Sequence, residues 1–135
     1  MARYEQNESV GRAPRLQAIQ HILTGLCQEQ GFTAAVLVSS EGFSLAAMPA
    51  TSRAEAVAAV VAQWRKAIGQ AQKQLQWPAL DEVNLVSPGG ARLVGCCFAA
   101  GGQDLILAVV VPDRRPYRRA TQQALRAIQQ AWTTR

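Results

Sequence analysis

His21 is the one histidine of the chain, so any acid–base chemistry would have to start there. Cys27 follows on the same helical segment, but at about 100° per residue the two side chains leave on different faces and cannot act as a pair. No further ligand stands at a recognisable spacing, which argues against a metal site. Ser39-Ser40-Glu41 sets hydroxyls beside a carboxylate. A serine nucleophile needs a base to take its proton, and the local sequence places none, so turn chemistry accounts for these residues. Pro88-Gly89-Gly90 and Gly101-Gly102 lack the lysine and Ser/Thr of a phosphate loop and stand between strands, where such a loop would have to open a helix. Cys96 and Cys97 are strand neighbours facing opposite ways, with Cys27 remote, so no disulfide framework is implied. These residues predict no enzymatic activity, no cofactor and no bound metal.

The charge feature that asks for an explanation is Arg114, Arg115, Arg118 and Arg119 at the start of the last helix. Cations there oppose the positive end of the helix dipole, at a few tenths of a kcal/mol each when exposed. The functional reading is contact with an acidic partner surface or a phosphate group. The plainer one is a solvated surface with Asp113 as local counter-charge.

The elements that must position these residues follow from periodicity. Leu16, Ile19, Leu23 and Leu26 recur at helical steps from Pro14, and Gly31 ends the segment. Ala34–Ser39 and Phe43–Met48 are apolar runs joined by Ser40-Glu41-Gly42, a β-hairpin. Ser52, with Glu55 three residues on, reads as an N-cap and capping box opening a long helix. Val57, Val61, Trp64, Ile68, Ala71 and Leu75 give that helix one apolar stripe toward the sheet, and Trp77-Pro78 closes it. Glu82–Ser87 and Arg92–Ala99 form a second hairpin. Leu105–Val111 is apolar throughout, as a central strand covered on both faces would be. A last helix runs from about Pro116 to Trp132. The order α-β-β-α-β-β-β-α, with short connections, predicts an α+β, three-layer α/β/α fold around a central five-stranded antiparallel sheet, with one helix on one face and two on the other.

At 135 residues and 49% hydrophobic, the chain fits one domain, expected over 14–135 behind a flexible tail at 1–13. No segment has the composition of a signal peptide or the roughly 20 apolar residues that span a bilayer, so membrane insertion is not expected and a cytoplasmic location is. The net charge of +5 is scattered apart from the arginine cluster, and few aromatics interleave with it, which disfavours specific nucleic-acid binding.

Element order, the run VLVSSEGFSLA at Val36–Ala46, the alanine-rich second helix and the apolar fifth strand together resemble the Roadblock (dynein light-chain) family over about residues 14–132. The resemblance implies a noncatalytic regulator or scaffold that dimerises through the second helix and the adjoining edge strand. Bacterial members accompany small Ras-like GTPases, so it also implies such a partner. A small-molecule sensor or an interaction domain of profilin-like or longin-like layout is the alternative.

The second helix carries its own suggestion of a dimer. Opposite the core stripe lie Glu55, Ala59, Ala62, Lys66, Gly69 and Lys73, a face poorer in charge than an ordinary solvent face. A two-fold axis near Trp64 would set Glu55 against Lys73, Ala59 against Gly69 and Ala62 against Lys66, as in an antiparallel pair of identical helices. A monomer with an exposed alanine-rich helix is the other reading, since alanine is simply a strong helix former.

Overall fold

The computed structural model describes residues 2–133, with side chains from 14 onward except at 52. Its elements are α1 (Ala2–Gln28), β1 (Ala34–Val38), β2 (Ser44–Met48), α2 (Ser52–Leu75), β3 (Glu82–Val86), β4 (Arg92–Ala100), β5 (Gln103–Val111) and α3 (Arg118–Thr133). The expected element order is therefore found. So is the sheet: five strands in the order β2-β1-β5-β4-β3, with every neighbouring pair antiparallel.

The apolar run of β5 places it at the centre, hydrogen-bonded to β1 on one side and β4 on the other. Strand alternation then sorts its residues between two cores. Leu105, Leu107 and Val109 face α1 and α3, joining Ile19, Leu23, Leu37, Val94 and Ile128. Ile106 and Ala108 face α2, joining Val36, Val38, Val57 and Val61. Burying a side chain such as Val61, which is fully enclosed, stabilises the fold by about 1.5–3 kcal/mol.

Three local expectations are corrected. The first helix starts at Ala2, not Pro14, with Pro14 inside it; periodicity marks only the part that packs on the core, and residues before it carry no apolar stripe. The N-cap of α2 is Thr51, without a side-chain cap bond, and Ser52 is the first helical residue. The Thr51 N–H donates to the Pro49 carbonyl at 2.9 Å, a tight turn that starts the helix one position early and takes Glu55 out of capping-box register. The stripe of α2 does not face the sheet along its whole length. Val57 and Val61 are buried and Trp64 and Ile68 half-buried, but Leu75 is 53% exposed. The helix packs mainly over β1 with β2 and β5, and its last turns run past the strands they would cover. It ends on Gln76, left-handed at φ 57°, whose backbone N–H donates to the Gln72 carbonyl.

Candidate functional site

The face of α2 singled out above is present as a face. Glu55, Ala59, Lys66, Gly69 and Lys73 are exposed. Ala62 is half-buried, because it lies under the β1–β2 turn: a Cβ built on Gly42 would stand 3.2 Å from the Ala62 Cβ. That turn is held by its own residues. Gly42, at φ 88°, donates its N–H to the Ser39 carbonyl at 3.0 Å, and the Ser39 hydroxyl accepts from the Phe43 N–H at 3.2 Å. The Ser39-Ser40-Glu41 run thus performs turn chemistry. Hydrogen bonds from its own backbone N–H and from the Ser40 and Ser39 hydroxyls hold the Glu41 carboxyl below the ordinary carboxylate value. Arg65, on the flank of α2, donates to the Ser39 carbonyl at 3.1 Å and to the Asp104 carbonyl at 3.0 Å, fixing the turn to the start of β5.

The exposed apolar residues lie elsewhere on α2. Val60 and Leu75 are 40% and 53% exposed and sit roughly 140° or more around the helix from the small-residue face. On the sheet, Leu85 of β3 is also 50% exposed and pairs with half-buried Leu93 of β4 on the side facing α2. β3 is an edge strand, bonded to β4 alone, and its Val83-Asn84-Leu85-Val86 stretch has no charge to discourage another strand. Sequence reading missed these residues because a stripe seen along one helix does not reveal where the helix outruns its sheet.

The arginine cluster is divided by the structure. Only Arg118 and Arg119 lie in the first turn of α3; Arg114 and Arg115 belong to the loop leading into it. Arg115 is structural: its Nε and Nη2 donate to the two Asp113 carboxylate oxygens at 2.7 and 2.9 Å, and Nη1 donates to the Gln30 carbonyl at 2.9 Å. These bonds hold the Asp113 carboxyl down at about 2. Arg114 rests on Gly90 of the β3–β4 turn. A fifth arginine, Arg92 of β4, joins them. Its guanidinium lies 4.7 Å from the Tyr117 ring centroid and donates to the Asp113 and Arg115 carbonyls, while its Nε is buried without a hydrogen-bond partner. Tyr117 is 5% exposed; its hydroxyl donates to Glu82 at 2.7 Å and accepts from the Asn84 amide at 3.0 Å. Arg92 stands far from the cluster in sequence, and only the β4 register brings it there.

Among the described residues, His21, Cys96 and Cys97 lie apart or on opposite faces of the sheet. His21 is exposed on α1. Cys96 is buried on the α1/α3 side, where burial pushes its thiol up to about 12, and Cys97 is half-buried on the α2 side, also raised by burial. Among the described residues no group of three or more His, Cys, Asp or Glu side chains could hold a metal ion, and no helix is long and apolar enough to cross a membrane.

No protein-family model matches the sequence, and no curated protein does. Solved structures do match. MglB of Myxococcus xanthus superposes with a TM-score of 0.72 at 15% identity, over 85% of this chain and 87% of that one. An MglB with tetrameric arrangement gives 0.69 at 21% identity, over 89% and 90%. A Roadblock/LC7 domain from Streptomyces avermitilis gives 0.66 at 16%, over 82% and 92%. With the strand order, the two cores and the position of α2 already in place, these matches show that the chain has the Roadblock/LC7 fold.

Proposed function

We propose that the chain is a noncatalytic, cytoplasmic homodimer that regulates or scaffolds a small Ras-like GTPase. The observation that carries the dimer is the set of exposed apolar side chains Val60, Leu75 and Leu85 together with the free edge of β3. A second copy meeting this surface about a two-fold axis would bury those side chains and give the edge strand a partner, an isologous contact. The small-residue face, through Ala59 and Gly69, lies on the far side of α2 and is the other seat for an isologous contact, one that would let two α2 helices approach closely. The tetrameric arrangement of an MglB of this fold supports assembly of the chain with itself. The GTPase partner rests on the resemblance to bacterial Roadblock proteins. Paired α2 helices would form a platform that favours one conformation of the partner's switch loops, shifting a population through differential affinity. The noncatalytic reading rests on the same resemblance.

Sedimentation analysis of the full chain tests the dimer. Leu85→Asp should yield folded monomer if the apolar surface forms the contact, and Ala59→Arg if the small-residue face does; a persisting dimer in both would remove the arrangement. Ala62→Arg is the less clean variant because it also strikes the Gly42 turn. Co-purification with a small GTPase encoded beside this gene, followed by nucleotide hydrolysis and exchange assays, tests the partner. Binding should be lost in the monomeric variants.

A further inference from the structure

We propose that the cleft between the α3 lead-in and the end of the β3–β4 hairpin binds a small ligand through its phosphoryl oxyanions. The cleft has a volume of about 640 Å³, within the range of small-molecule sites, and Arg92, Arg114, Arg115, Arg118 and Arg119 line it without any acidic side chain. Local carboxylates leave most of that charge free. Asp113 is taken by Arg115, the only ion pair within 4.0 Å among the described residues, and Glu82 accepts the Tyr117 hydroxyl. Arg114, Arg118 and Arg119 are exposed cations gathered around one concavity, and Arg92 adds a further guanidinium to its wall. Their mutual repulsion is relieved by a bound anion.

The geometry favours phosphate over carboxylate. The guanidinium groups enter from three elements: Arg92 from β4, Arg114 from the loop and Arg118 from α3. A planar carboxylate meets one such fork, whereas a tetrahedral phosphoryl group presents oxygens in several directions and a chain of them can bridge all three. Arginine at every position, with no lysine, suits bidentate recognition. A concave pocket of this size favours a compact ligand over a flat acidic protein surface, and no exposed aromatic platform lines it for stacking bases of a nucleic acid. The proposal does not depend on the GTPase reading.

Isothermal titration of the full chain with inorganic tripolyphosphate, ATP, citrate, an acidic peptide and a mixed-sequence single-stranded DNA tests this. Saturable binding of tripolyphosphate is expected, weakening as salt rises, at least tenfold weaker in Arg114→Gln/Arg118→Gln and unchanged in Arg126→Gln, an exposed arginine further along α3. Equal binding of ATP makes the phosphate chain the whole determinant, and tighter binding of ATP adds the nucleoside; either supports the site. Absence of tripolyphosphate binding, equal loss in Arg126→Gln, or tighter binding of citrate, peptide or DNA overturns it. Circular dichroism and melting of the unliganded variants establish that each remains folded.

Discussion

Trp64 of α2 lies against Gly95 of β4 so closely that a Cβ built on the glycine would stand 2.6 Å from the indole Cζ3. This contact is where α2 reaches across β5 toward the β3–β4 half of the sheet, and the missing side chain makes room for the ring. Gly95→Val should destabilise the fold by about 1–3 kcal/mol through overpacking, read as a lowered melting temperature. Gly25, within α1, has nothing within 4 Å of a built Cβ. There Gly25→Ala should stabilise by about 0.5–1 kcal/mol, since alanine loses less backbone entropy in a helix. Opposite signs at two buried or half-buried glycines test whether space or backbone freedom decides each.

Tyr117→Phe should cost about 0.5–1.5 kcal/mol in urea unfolding, because it deletes the hydroxyl shared by Glu82 and Asn84 while keeping the buried ring under Arg92. Tyr117→Ala should cost more, since it also removes the ring from the α1/α3 core.

Asp113 gives a pH signature. Its folded pKa of about 2 lies below the ordinary 3.8, so the carboxylate adds stability above pH 3.8 that is lost as pH falls from there through about 2. A side-chain carboxyl titration by NMR should place its midpoint near the lower figure, and Arg115→Gln should move it upward. A midpoint unchanged by that substitution would contradict the assignment of Arg115 as the cause.

Thiol labelling at pH 8 should rank the cysteines by environment. Cys96, buried and pushed to about 12, should stay unmodified in the native protein and react only on unfolding. Cys27 and Cys97, half-buried, should react slowly but measurably under native conditions.

Element order, the antiparallel sheet and the central place of β5 were legible because each rests on local period and turn residues: Gly42 for the first hairpin, an unbroken apolar run from Leu105 to Val111, a last helical segment running to Trp132. The opposite facing of Cys96 and Cys97 followed from strand alternation alone. What sequence left open depends on distance between elements. The last turns of α2 looked like core because Leu75 keeps the phase of Val61, and only the extent of the sheet beneath decides that it is exposed. Arg115 and Arg114 looked alike in the chain, but the Gln30 carbonyl just past the end of α1 and Asp113 make the first a structural tie, while the second is left exposed beside the same cleft. Arg92 entered that cleft through strand register, a pairing between residues remote in sequence, which no local pattern encodes.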